Sequence, residues 1–417
     1  MKSLFIEYND QNVFNIEIFI KAGSVYETSG EHGLAHLLEH MMFKSKKNIN
    51  IEELLLELNY LGGEFNALTG KDYTSFYIKT IDKNWKRSTE LLNKIVFEPI
   101  FKTKDLKTEK KIVIEEFLQM EDDIKDKVFE TAYSLFLHPK NPYGASVKGT
   151  LRNIKVVDPE SLHRYYNKHY SKCIIYINCD KKLVKDIKPY LLKNFSTRLD
   201  SISRKVPYGE LLTNTSNLPV IKVLNEKKAQ NSTIIMFQGF AYSDKRTIIL
   251  ELIWDILAGS LNSLLMMEMR EKRGLVYRLS AFNDGFAYIG TSGLYFTSST
   301  NDISTTILYI MKVLKKIRLK GLSKNILTYS KASYINKLQY QLTDLNFTTQ
   351  RAMMRHYYGC KWDESSVLSK LRKITNEDII SICQTVFDFT KMCVVTVGNY
   401  KSPNDLENKI RNMCNKL

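Results

Sequence analysis

The fold of this chain is constrained first by a duplication. Residues 158–180, DPESLHRYYNKHYSKCIIYINCD, and residues 375–399, TNEDIISICQTVFDFTKMCVVTVGN, follow one plan. Each reads as a capped helix, a short turn and an apolar strand. At an offset of 217, Leu162, Tyr166 and Tyr170 fall on Ile379, Cys383 and Phe387. NIEIFIKAG followed by a helix likewise matches STIIMFQGF followed by RTIILELIWDILAG. The chain therefore reads as two similar α+β units. The first is expected over 1–205, a linker over 206–220 toward the end of the polar stretch STRLDSISRKVPYGELLTNTSNLP, and the second over 221–417.

In the first unit the period-two alternation of FNIEIFIKA and YTSFYIKT predicts half-buried strands. Helices are expected at about 30–43 and 50–61, and from Lys104 to about Leu137, where HPKNPYG breaks the pattern. On the last of these, Ile112, Val113 and Phe117 are expected to pack against the sheet.

At 417 residues, 44% hydrophobic and with eight prolines, the chain can bury two cores and is not of disordered composition. Its longest apolar runs, CIIYIN and MCVVTV, are strand-sized, against the ~20 residues a membrane helix needs. No membrane partner is expected. The N-terminus shows neither an apolar signal core nor an arginine-rich presequence, and six cysteines without a CxxC pair suit free thiols. Both point to the cytoplasm or another reducing compartment. The net charge of +16 suits a nucleic-acid or membrane-surface binder, and equally a lysine-, asparagine- and isoleucine-rich composition. No nucleic-acid module accompanies it, so no nucleic-acid partner is expected. Residues 303–343 hold Lys312, Lys315, Lys316, Arg318, Lys320, Lys324, Lys331 and Lys337 without one acid. This predicts a basic helical face, which lines a chamber, meets a partner or lies in solvent.

HGLAHLLEHMMF, residues 32–43, contains three of the seven histidines. Four residues apart on a helix, His36 and His40 share one face and can reach one ion. Glu39 flanks that face and can address water without being a ligand. A catalytic zinc site also needs a third protein ligand and an open position. TEKKIVIEEFLQMEDD offers Glu109 and Glu116, seven apart and so on one face two turns apart. An acid on a partly buried helix is costly unless paired, and a metal would supply the pairing. Glu115 and Glu121 compete as third ligand, and His32 reads as a surface or capping residue.

These residues resemble the pitrilysin family (M16) of zinc metallopeptidases, in its processing-peptidase-like branch. There the inverzincin motif HxxEH is followed about 76 residues on by a ligand glutamate, with a second glutamate seven before it. Here His40 and Glu116 are 76 apart, and Glu109 precedes Glu116 by seven. The likeness extends through AGSVYET, LGGEFNALTGKDYTSFY, NPYG and MREKRGLVY. It implies an α+β fold of two homologous α/β-sandwich units, each a mixed, mainly antiparallel sheet with helices, of the LuxS/MPP-like metallohydrolase type. It assigns His36, His40 and Glu116 as ligands of one Zn2+ per chain, Glu39 as general base, and Glu109 as an acid that orients the ligands. Asn66 and Ala67 would bind substrate along an edge strand. Arg270 and Tyr277, from the second unit, would hold the substrate and stabilise the oxyanion.

The implied activity is zinc-dependent endopeptidase cleavage of extended or unfolded peptides. Two such chains would pair into a clamshell, as a homodimer or as a heterodimer with a related chain. The alternative is a non-catalytic scaffold or partner subunit, against which the complete motif speaks. GGEFNALTGKD also mimics a phosphate loop, but Phe65 and Asp72 stand where glycine and a hydroxyl residue are required.

Overall fold

The computed structural model describes residues 3–44, 46, 50–137, 141–199, 219–227, 230–299 and 303–416. Each of two compact units is built on a five-stranded sheet. The first contains β1 (Leu4–Asn9), β2 (Val13–Ile20), β3 (Glu64–Thr69), β4 (Thr74–Ile81) and β5 (Ile174–Asp180), in the order β1-β5-β2-β4-β3. The second contains β6 (Val220–Asn225), β7 (Asn231–Gly239), β8 (Arg278–Gly285), β9 (Gly290–Ser298) and β10 (Cys393–Gly398), in the matching order β6-β10-β7-β9-β8. In each sheet the first pair is parallel and the rest antiparallel. The fold is thus the α+β duplication that the sequence implies.

Register makes the correspondence concrete. Ile16 stands opposite Ile177 on β5 and Ile78 on β4. Ile235 stands opposite Val394 on β10 and Leu294 on β9. β2 and β7 therefore superpose two residues further along than the match of NIEIFIKAG with STIIMFQGF. The helices Pro159–His169 and Asn376–Val386 keep the 217-residue offset. They bury Leu162 and Tyr170 in one unit, Ile379 and Phe387 in the other.

Alternation along β2 sends Phe14, Ile16, Ile18 and Ile20 to one face, against Leu34, Leu37, Leu38 and Met41 of helix Leu34–Met42. Each fully buried side chain of this kind contributes ~1.5–3 kcal/mol, and the helix is anchored to the sheet by its apolar side. Its polar side remains available for chemistry.

Helix Thr103–Asp122 ends where Asp123 caps a new helix, Ile124–Phe136, by accepting from the Asp126 amide at 3.0 Å. By packing, the first unit comprises Met1–Gln119 and Ala145–Pro207, and the second Met120–Gly144 and Tyr208–Leu417. The unbroken span expected over 1–205 is therefore interrupted. Helix Ile124–Phe136 belongs with the second sheet, where Phe129 meets Phe282 and Tyr295 edge-on or tilted. Tyr133 Oη there bonds Asp284 Oδ2 at 2.6 Å and Thr291 Oγ1 at 2.8 Å. Amphipathic spacing shows that Val128, Ala132 and Phe136 are buried, but not which sheet buries them. The linker expected over 206–220 lies, up to residue 218, outside the described residues.

One packing expectation is corrected. Ile112 is 41% exposed, while Leu106, Glu109, Val113 and Met120 form the buried stripe of helix Thr103–Asp122, with Phe117 half-buried. Phase decides this: one helical residue turns 100°, so a stripe through 106, 109, 113 and 120 leaves 112 outside.

The acid-free stretch 303–343 folds as helices Ile303–Lys320 and Lys324–Gln341. Its charges do not form one free face. Lys331 donates to the Ile374 carbonyl at 2.7 Å and Lys337 pairs with Asp255 at 2.7 Å, both inside their own unit, whereas Lys312, Lys316, Lys320 and Lys324 are exposed. All six cysteines are free and five are buried. Among the described residues no helix is long and apolar enough to cross a membrane.

Candidate metal centre

The helix that carries the histidines is fixed at its start from beneath. The buried Glu27 carboxylate accepts from the amides of Gly33 at 3.0 Å and Ala35 at 2.7 Å, taking two donors the helix cannot satisfy itself. Gly33 is left-handed at φ +94°, and a Cβ there would lie 2.8 Å from the Lys148 carbonyl oxygen. Only glycine suits this position. His32 sits beside this cap, its Nδ1 3.8 Å from Glu27 Oε2.

From the polar side of the helix, His36 Nε2 and His40 Nε2 each stand 3.6 Å from Glu116 Oε2. One ligand atom from each of the three lies within 4.8 Å of the others, the one such group among the described residues. Donors ~2.0–2.1 Å from a tetrahedral zinc ion stand ~3.3–3.4 Å apart, so two of the separations need little adjustment. Glu116 is about a third exposed, 37% by side chain, which leaves the cluster open on one side. Of the competing acids, Glu115 is exposed and Glu121 pairs with Lys127 at 3.8 Å, and neither joins the group.

The protonation pattern fits a cation. Burial first, then the charges of His40 and Lys148, lower His36 to about 4, so its ring is neutral near pH 7 and has a lone pair to give. Its Nδ1 is buried without a hydrogen-bond partner, and Nε2 is the ring atom that faces Glu116. Burial also pulls His40 down, but the Glu109 hydrogen bond and the charges of Glu116, Glu39 and Glu109 outweigh it and raise the ring. Three carboxylates, Glu39, Glu109 and Glu116, around two imidazoles make the pocket attractive to a positive ion.

Glu109 is 3% exposed by side chain and places Oε2 3.2 Å from His40 Nδ1. Burial opposes its charge, yet His40 and Lys44 hold it below the usual carboxylate range. Glu39 lies on the same helix between the histidines. It accepts from the Thr69 hydroxyl at 2.5 Å, at the end of β3. Burial raises Glu39, with Thr69 working against that rise. A carboxylate raised toward neutrality can both take and return a proton.

Asn66 and Ala67 lie on β3, which pairs only with β4 and ends the sheet among the described residues. The Ala67 amide donates to Asn66 Oδ1 at 2.9 Å, so it points away from β4 toward the open edge. In the second unit, Arg270 is in the π-helical turn Met266–Glu271, and Tyr277 immediately precedes β8. Tyr277 is 71% exposed, and Arg270 has one distant ion pair, to Glu271 at 3.8 Å.

Sequence reasoning passed over Lys44, Thr69, Glu27 and Lys148. Lys44, four after His40, carries a positional signal, and so does Thr69, three after Asn66; Glu27 and Lys148 are joined to the site only by folding. The second unit builds no such cluster among the described residues. Its helix Thr247–Ala258 carries Glu251 and Asp255 four apart, which meet Tyr334 Oη at 3.3 Å and Lys337 Nζ at 2.7 Å.

Two family models match the chain: "Insulinase (Peptidase family M16)" over residues 4–149 and "Peptidase M16 inactive domain" over residues 157–334. The chain belongs to peptidase family M16. The first model takes in His36, Glu39, His40, Glu109 and Glu116, and the second falls largely on the unit without the cluster. Among relatives, an uncharacterised zinc protease of Bacillus subtilis is 24% identical over 93% of this chain and 94% of its own. One from Streptomyces coelicolor is 23% identical over 88% and 81%. The fold is shared with a protease from Helicobacter pylori, at TM-score 0.83 and 18% identity over 93% of this chain and 94% of that one. A structure from Pseudomonas fluorescens, described as a peptidase M16 inactive domain, aligns at TM-score 0.81 and 17% identity over 95% of each chain.

Proposed function

We propose that this M16 protein is a zinc-dependent endopeptidase that cleaves extended or unfolded peptides. The observation that carries the reading is the meeting of His36, His40 and Glu116 with Glu39 beside them on the same helix face. His36 and His40 would hold the ion through Nε2 and Glu116 through a carboxylate oxygen. A zinc ion so held supplies Lewis acidity toward a peptide carbonyl and toward water. Glu39 takes the proton from the attacking water and returns it to the leaving amine, with the Thr69 hydroxyl holding its Oε2. Glu109 holds the proton of His40 at Nδ1 and so leaves Nε2 unprotonated.

The open edge of β3 supports the reading for substrate form. An extended backbone can add there as a further strand, bonding to the Ala67 amide once Asn66 releases it. A folded substrate has no such free strand. Arg270 and Tyr277 are the donors we assign to the developing oxyanion and the substrate, since neither side chain is absorbed by packing in its own unit. The enclosing assembly we favour is a pair of such chains, identical or related.

The test is peptide cleavage by purified protein, followed by mass spectrometry, with and without a chelator. Glu39→Gln keeps size and polarity, so zinc should remain at one per chain while turnover falls ~10²-fold or more. Turnover within a few-fold of the parent would remove Glu39 as the base. A parent that binds zinc yet cleaves nothing would favour the partner-subunit alternative.

A further inference from the structure

Lys44, Glu109 and His40 form a charge chain behind the cluster. Lys44 Nζ stands 2.8 Å from Glu109 Oε1, and Glu109 Oε2 stands 3.2 Å from His40 Nδ1. Glu109 Oε1 is buried, and the close ion pair with Lys44 is what compensates its charge. We propose that Lys44 is a positioning residue for the metal centre: by pinning one oxygen of Glu109 it aims the other at His40, and so sets the ring that presents Nε2 to the ion. The inference rests on the reading of His36, His40 and Glu116 as a zinc site.

The physical argument is one of anchoring. The terminal torsion of a glutamate is soft, and its two oxygens exchange freely unless each is held. With Lys44 on Oε1 and His40 on Oε2, the carboxylate has one orientation, and His40 has its proton on Nδ1. Lys44 follows the helix end, where its amide still donates to the Met41 carbonyl at 3.2 Å. One chain segment therefore supplies both a ligand and the clamp on that ligand's support. Outer partners of this type commonly change metal affinity by ~10–100-fold.

A lysine near a cation can also do the reverse. If the ammonium acted only as a nearby positive charge, it would repel the ion, and its removal would tighten binding. The two possibilities have opposite signs.

The experiment measures zinc affinity by competition with a chromophoric chelator, on the full chain, for the parent, Lys44→Met, Lys44→Arg, Glu109→Gln and the Lys44→Met/Glu109→Gln double variant. Lys44→Met should weaken zinc binding about tenfold or more. Lys44→Arg should restore affinity to within about threefold, and Lys44→Met should add nothing once Glu109 is Gln. Thermal melting of the metal-free proteins separates this from general destabilisation, since the rise in melting temperature on adding zinc should shrink in Lys44→Met. Equal or tighter zinc binding in Lys44→Met, or an equal loss in the Glu109→Gln background, overturns the proposal. If Lys44→Met does not fold, Lys44→Gln is read by the same criteria. A parent that binds no zinc would overturn the zinc-site reading itself, a result distinct from a zinc-binding parent indifferent to Lys44.

Discussion

Thr69→Val is the sharpest probe of the base. Valine replaces the hydroxyl by a methyl of nearly the same size, and residue 69 stays at the end of β3 opposite Thr74. What disappears is the 2.5 Å hydrogen bond to Glu39 Oε2. A hydrogen bond to a charged group contributes ~1.5–3 kcal/mol, and this one favours the ionised form. Burial already raises Glu39, and Thr69 is the largest of the effects that restrain it. Without the restraint the carboxylate stays protonated to higher pH, so the acid limb of the kcat/KM profile should move upward. A loss of ~1.5 kcal/mol at fixed pH on that limb corresponds to about tenfold in rate. The assay is the pH–rate profile of peptide cleavage for parent and variant, with zinc content measured in parallel, because Thr69 is not one of the three candidate ligands. A superimposable profile, or a shift toward lower pH, would refute the assignment of Thr69 as the partner of an active base.

Three further outcomes follow from other parts of the molecule. His40→Ala should lose both zinc and activity, and zinc retained at one per chain would sink the ligand assignment. Glu17, buried on β2, is raised by that burial from 4.5 to about 7, so its folded form prefers the proton. Stability from such a group is fully present below its unfolded pKa and is lost as pH rises from about 4.5 through 7. Glu17→Gln should therefore gain up to ~3 kcal/mol over the parent at pH 8 and nothing near pH 4, read from urea unfolding; no difference at pH 8 refutes it. Tyr133→Phe strips Asp284 and Thr291 of a buried partner and should cost ~1–3 kcal/mol of stability, while an unchanged unfolding midpoint would mean helix Ile124–Phe136 does not anchor on the second sheet through Tyr133.

Much of the architecture was legible because it is local. Alternation along FNIEIFIKA follows from the two-residue pleat, and β2 carries it as the row Phe14, Ile16, Ile18, Ile20. The four-residue spacing of His36 and His40 becomes proximity through helix geometry alone, with ring centroids 4.8 Å apart. The repeat of helix, turn and strand at 158–180 and 375–399 likewise determined that there are two units of one kind.

Contacts between distant segments were another matter. Spacing from HxxEH singled out Glu116 only through a family resemblance; Glu115 and Glu121 were equal in composition, and the 100° turn between successive helical residues separated them once helix Thr103–Asp122 was docked. Ile112 failed by the same phase. Lys44 against Glu109, Thr69 against Glu39 and Glu27 beneath the helix start join residues that no local periodicity relates. The destination of Ile124–Phe136 was undetermined for the same reason, since an amphipathic stripe states that a helix must be covered and not by which sheet. By itself the sequence determined which residues lie on each face of each element, because backbone geometry is short-ranged. Only the tertiary structure decided which faces meet, because that depends on how whole side-chain surfaces pack.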